Sequence, residues 1–285
     1  MTSMLRALVV VAAASRRYLK LDLRYRFELT VNALLLMTNI VSFGLMGHFV
    51  VATNRELVSY PYHLFLLTGI FYWTVVSNGF TSSIFTLHEE MERGTIGFLL
   101  SNGVSPAVIT LSKMITTTVE ALGLSTVIAI PALLISSGGG CPAPPASAEW
   151  ALKLAASLML PWLFMLAVAI SFTALQLVFK RTGGLAGALH GVLGIASGLN
   201  FPPQAVPLLG EALSKLPTAV GLRAFRELMV FGEARSLELT LSRILTPLTD
   251  EWFLVFVTAA FLAASFMLLS KVEEVTRRWG TIEQY

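Results

Sequence analysis

From Leu29 to Ala52 the chain runs without a single Asp, Glu, Lys or Arg, and from Tyr62 to Leu87 it does so again. Each run exceeds the ~20 apolar residues that cover roughly 30 Å of hydrocarbon. Backbone at that depth has no water to bond, so such segments must satisfy their own amides and carbonyls as helices. A chain of 285 residues that is 55% hydrophobic, with mean hydropathy +0.73, spends most of its length this way. The expected fold is an all-α membrane protein forming one transmembrane domain over residues 1–285.

Hydropathy predicts six transmembrane helices, at about 29–52, 62–87, 106–135, 150–179, 183–201 and 251–270. The third opens at Ser105-Pro106, a capping residue followed by proline at the first helical position. Pro131 and Pro161 fall inside spans and are expected to kink them. Six Lys and Arg precede the first span, Lys180-Arg181 separates the fourth from the fifth, and Lys271, Arg277 and Arg278 follow the last. The positive-inside rule therefore puts both termini in the cytoplasm of a multi-pass cell-membrane protein.

The start, MTSMLRALVVVAAAS, has the outline of a secretory signal, but a block from Arg16 to Arg26 follows and resists translocation. Residues 1–28 are expected to form a cytoplasmic interfacial helix. Leu5, Leu8, Val9 and Ala12 would lie on its apolar face, with Arg16, Lys20 and Arg24 recurring every four residues. SSGGGCPAPPASAE reads as an external loop holding Cys141, the only cysteine, so an intrachain disulfide or thiolate metal cluster is excluded. Residues 200–250 read as an external re-entrant segment with one short helix from Pro207 and another after Pro217. The second carries Arg223, Arg226 and Glu227, too many charges on too few residues to cross.

Enzymatic motifs are missing. His88-Glu89 lacks the second histidine of a zinc-protease helix, Ser197 is misplaced for a nucleophile elbow, and no phosphate-binding loop occurs. The four histidines, at 48, 63, 88 and 190, have no ligand spacing. Polar and small residues inside the spans are more informative. Asn32 and Asn39 share a face of the first span and Asn78 lies on the second. With Tyr72 they are candidates for lining a path, the alternative being interhelical bonding. Gly183, Gly187 and Gly191 recur every four residues and would let another helix approach closely.

Charge is densest in HEEMERGTIGFLLSNGVSP, residues 88–106. Glu89, Glu90, Glu92 and Arg93 ring an apolar group of Ile96, Phe98, Leu99 and Leu100. Gly94 permits a sharp turn and Thr95 is suited to cap a short helix. An apolar centre with a charged rim is how docking surfaces are built.

MERGTIGFLLSNGVSPAVITLSK resembles the cytoplasmic signature of type-2 ABC transporter permeases. Glu92, Arg93, Gly94, Thr95, Leu99, Leu100, Ser105 and Lys113 fall in register. Gly97, Gly103 and Ser112 stand where that family prefers glutamate, proline and glycine. A second resemblance covers 201–232, where Pro202, Pro207, Pro217, Arg226 and Gly232 look like the family's external segment. The resemblance implies a permease half that pairs with a second copy or a homologue and rests on ABC ATPase subunits. Residues 88–105 would then be the coupling helix and Pro202, Pro207, Pro217 and Arg226 part of an external gate. No cofactor is expected on this chain, ATP and Mg belonging to the ATPase, and no nucleic acid is expected. The implied cargo is a hydrophobic or amphipathic small molecule or lipid-like compound, the runner-up being a lipid-linked polysaccharide. The rival readings are an ATP-independent carrier or channel, or an assembly scaffold. A carrier would set ionisable groups at mid-membrane depth, where Lys113 comes closest.

Overall fold

The computed structural model describes residues 3–53, 62–136, 147–203, 208–231 and 250–278, and all regular structure among them is helical. The helices are α1 (Ser3–Arg24), α2 (Arg26–Thr53), α3 (Tyr62–Glu92), α4 (Ile96–Ser101) and α5 (Pro106–Ser136). They continue as α6 (Ala148–Phe179), α7 (Gly183–Ala196), α8 (Gly210–Ser214), α9 (Pro217–Phe231) and α10 (Asp250–Arg278). Cys141 and Pro207 lie outside the described residues, as does 232–249.

Five helices, α2, α3, α5, α6 and α10, are long and apolar enough to cross a membrane. The fifth expected span is not among them. Its helix, α7, has 14 residues, a rise of ~21 Å at 1.5 Å per residue. Gly198, at φ +87°, ends it in a conformation that favours glycine, and Pro202-Pro203 prevents resumption. Hydropathy registers the apolar run to Phe201 but not the backbone turn inside it.

α3 is the central post. Tyr72, Val76, Phe80, Ile84, Leu87 and Met91 recur at three- or four-residue spacing and are all buried, so one face of α3 is continuous core. α5, α6, α2, α7 and α9 pack around it, while α10 packs on α6 and α1 on α5. Hydroxyl pairs join the layers: Thr110–Thr173 at 2.7 Å between α5 and α6, and Ser171–Ser265 at 2.8 Å between α6 and α10. α6 runs through Pro161 as one helix. The Ser157 carbonyl, which that proline leaves without its amide partner, faces α9 at Gly221.

The inward face of α1 holds Tyr18, with Ala14 and Leu21 packed nearby, and Leu8 and Val9 are left exposed on the face expected to be apolar. Small residues make the close contact with α5 instead. Ser112 donates to the Val11 carbonyl at 3.3 Å, and Thr116 to that of Ser15 at 3.1 Å. Arg16, Lys20 and Arg24 line a groove on the outside, as their spacing predicts.

Candidate functional site

Two features stand out, an elbow between α3 and α5 and a polar cavity inside the helix bundle. The elbow begins at Gly94, φ +67°, and ends at Gly103, φ +77°, with α4 between. Glu90 is its anchor. This carboxylate is buried and accepts from Arg17 Nη2 at 3.1 Å, from the Tyr18 hydroxyl at 3.4 Å and from the Thr95 hydroxyl. Burial, and after it the Glu90 carboxylate, push the Tyr18 hydroxyl well above the ordinary tyrosine range, so it remains a donor. Thr95 starts α4 but its side chain does not cap it, a correction to the expected role: the hydroxyl is turned back to donate to the Glu90 carboxylate, a charge-assisted bond, and its oxygen accepts from no amide of α4.

Glu89, Glu92 and Arg93 behave otherwise. Arg93 pairs with Glu89 at 3.0 Å and Glu92 with His88 at 3.1 Å, both one turn apart on the surface of α3. The apolar group of α4 divides: Ile96 is buried, Leu99 and Leu100 lean on the core, and Phe98 is 70% exposed. The elbow thus presents one bare aromatic ring beside polar surface pairs, on a backbone tied to α1.

The cavity, about 310 Å³, lies between α1, α2, α3 and α5. Asn32, Asn39 and Asn78 all line it, and none of their amides bonds to another described residue. The structure therefore gathers these three residues on one cavity. Tyr72 is not with them. It is buried on the far face of α3 and donates to the Thr218 carbonyl at 3.1 Å. Charges that the sequence reading did not bring together complete the cavity: Lys113 meets Asp22 at 2.6 Å, and Glu120 sits beside both. A second cavity of about 660 Å³ shares Asp22, Glu28, Asn32, Ser82 and Lys113 with the first and reaches Glu89, Glu90 and Arg93. The two cavities therefore adjoin, one reaching the elbow and the other lying between α2, α3 and α5.

At the opposite end, Arg226 of α9 is buried and joins three helices. It donates to the carbonyls of Gly198 at 2.9 Å, Leu199 at 3.0 Å and Phe65 at 3.0 Å, with its guanidinium 3.4 Å from the Phe65 ring. The first two carbonyls belong to the turn that ends α7, where a cation is favoured. Pro217 opens α9, and Pro202 is exposed beside the turn. Of the segment expected to start at Pro207, which itself lies outside the described residues, the helix Gly210–Ser214 is described.

The small residues of α7 split by face. A side chain at Gly183 would lie 3.1 Å from the Phe85 ring, so this glycine packs within the chain, while Gly187 and Gly191 meet nothing within 4 Å. Gly194, on the other face, packs on Trp73, and His190 bonds Ser77 at 2.8 Å. The sequence matches no protein-family model and no curated protein, so a functional reading rests on this geometry.

Proposed function

We propose that this chain is the membrane permease subunit of an ATP-driven ABC exporter, working as a pair of permeases on separate ATPase subunits at the cell membrane. The observation that carries the reading is the elbow: a six-residue helix held by buried Glu90 and offering Phe98 outward. A bare aromatic ring on a braced lever suits insertion into a cleft on a partner. In this reading the elbow and both termini are cytoplasmic, and ATPase closure presses α4. Glu90 passes that displacement to α1, and through α1 to α5 and the cavity wall. Glu92 and Arg93 form the charged rim, and α8 and α9 close the outer end. Cargo is an amphipathic small molecule or lipid-like compound.

The test is ATP hydrolysis by the chain purified from its native membrane with a stoichiometric subunit carrying a phosphate-binding loop. Phe98→Asp is expected to cut assembly or coupled hydrolysis at least tenfold, as a central anchor truncation of ~2 kcal/mol or more would. A chain that transports with no such subunit, or is indifferent to Phe98→Asp, removes the reading.

One observation favours a carrier that needs no ATP: Lys113, Asp22 and Glu120 lie together in the cavity, where ion-coupled carriers keep ionisable groups. Activity of the lone chain in liposomes would select that alternative.

A further inference from the structure

α1 lies across the spans rather than along them. Its residues bonded to α5 run from Val11 to Asp22, ~16 Å of helix at 1.5 Å per residue, yet their partners on α5 fall between Ser112 and Thr116, ~6 Å. The next helix, α2, is long enough and apolar enough to span and begins at Arg26, so the end of α1 sits within a turn of the membrane surface. With Tyr18 turned inward to Glu90, the outward face of α1 divides lengthwise. At ~100° per residue, Leu8, Ala12 and Leu23 occupy a sector of ~60°, and Arg16, Lys20 and Arg24 fall in the next ~80°. All six are exposed. Apolar and basic stripes side by side are the pattern of a helix lying in the headgroup layer.

Ion pairing on α1 uses its other side, where Arg17 reaches Glu90 and Asp22 reaches Lys113. Arg16, Lys20 and Arg24 meet no acid among the described residues, and no carboxylate stands in the wall of the groove they line. Like charges one turn apart repel one another, and an anion seated between them reverses that. The guanidinium forks of Arg16 and Arg24, with an ammonium between, match the oxygens of a phosphate.

We propose that this groove binds the phosphate of an anionic phospholipid, with the Leu8, Ala12 and Leu23 stripe turned to its acyl chains. The inference goes beyond the permease reading and needs only the membrane-spanning helices. Free phosphate or an acidic protein surface would satisfy the bases and leave the leucines in water, whereas a lipid satisfies both stripes.

The test is photo-cross-linking of the full chain in phosphatidylcholine nanodiscs doped with phosphatidylglycerol or phosphatidylcholine bearing the same diazirine acyl chain, adducts being mapped by mass spectrometry. Phosphatidylglycerol is expected to label α1 roughly tenfold or more above phosphatidylcholine, and excess inorganic phosphate is expected to leave that label in place. Arg16→Gln, Lys20→Gln and Arg24→Gln together should abolish the preference, at roughly fivefold per base near a membrane surface. Arg16→Lys with Arg24→Lys should keep most of it, and Arg181→Gln, Lys271→Gln and Arg278→Gln together should leave it unchanged. Equal labelling by the two lipids or loss of the label to inorganic phosphate overturns the proposal. An equal loss in the Arg181, Lys271 and Arg278 variant also overturns it, by reducing the effect to overall charge. Unchanged labelling in the variant lacking Arg16, Lys20 and Arg24 does so too, and if that variant has lost an ATPase partner the groove belongs to an acidic protein surface. Should that variant not fold, the two-lipid comparison on the unmodified chain decides. No ATPase is present in the labelling, so the lipid site fails or stands separately from the coupling role of Phe98.

Discussion

Arg226 and Glu90 are both buried and charged, and each holds together parts of the chain far apart in sequence. Arg226 meets carbonyls from the start of α3 and the end of α7. Its fork of donors cannot be copied by an ammonium on a flexible stem. Arg226→Lys is therefore expected to lower stability by roughly 1.5–3 kcal/mol, the range for hydrogen bonds to charged groups, and Arg226→Ala by more. Detergent-solubilised unfolding followed by tryptophan fluorescence measures it, and an unchanged midpoint for Arg226→Ala would mean the three carbonyls find other donors. Gly69 belongs to the same arrangement, because a side chain there would lie 2.6 Å from Arg226 Nη2. Of these two charges, Arg226 shares α9 with Arg223 and Glu227, and its inward direction among Ala224, Phe225 and Leu228 sets it apart from the exposed Arg223. Glu90 is one of four charged residues from 89 to 93, and only its inward direction separates it from Glu89 and Glu92.

At the scale of elements, apolar runs locate helices well because length and burial are written in the same residues. Five spans and the short α4 fall close to where hydropathy and turn chemistry predict them. What escapes is decided by backbone or by distant pairing. α7 stops at a glycine turn that an apolar run conceals. The cavity joins Asp22 to Lys113 across 91 positions, and Glu120 is a single acid between Val119 and Ala121 that hydropathy averages away. The asparagines were legible since an amide in such a run has to be accounted for. The docking of α9 on α6 gives a sharp test of element packing. A methyl at Gly221 would lie 2.3 Å from Pro161 Cγ, 2.5 Å from the Tyr72 hydroxyl and 2.6 Å from the Ser157 carbonyl. Two of these neighbours are fixed by ring or backbone, so α9 must move. Gly221→Ala is expected to cost about 1–3 kcal/mol by overpacking. Gly97→Ala, at a helical position with nothing within 4 Å, is expected to be neutral or slightly stabilising. Equal unfolding midpoints for the two variants would contradict the packing described.

For the whole molecule, burial is uneven. α3 is enclosed, whereas α2 and α10 leave most of their apolar surface uncovered, so lipid or a second chain must complete the solvent-free environment those residues require. In the proposed permease pair, the open face of α7 offers a close approach at Gly187 and Gly191, while Gly183 is already engaged with Phe85. Replacement by leucine should therefore separate assembly from folding along a single helix. Gly187→Leu and Gly191→Leu are expected to leave the unfolding midpoint within a degree or two and to convert cross-linked dimers in native membranes into monomers. Gly183→Leu is expected to lower the midpoint by several degrees, because its side chain would enter the contact between α7 and α3. Dimers that persist in the Gly187→Leu, Gly191→Leu double variant would move the pairing surface away from α7, and α2, with its long uncovered face, would then be the helix to substitute.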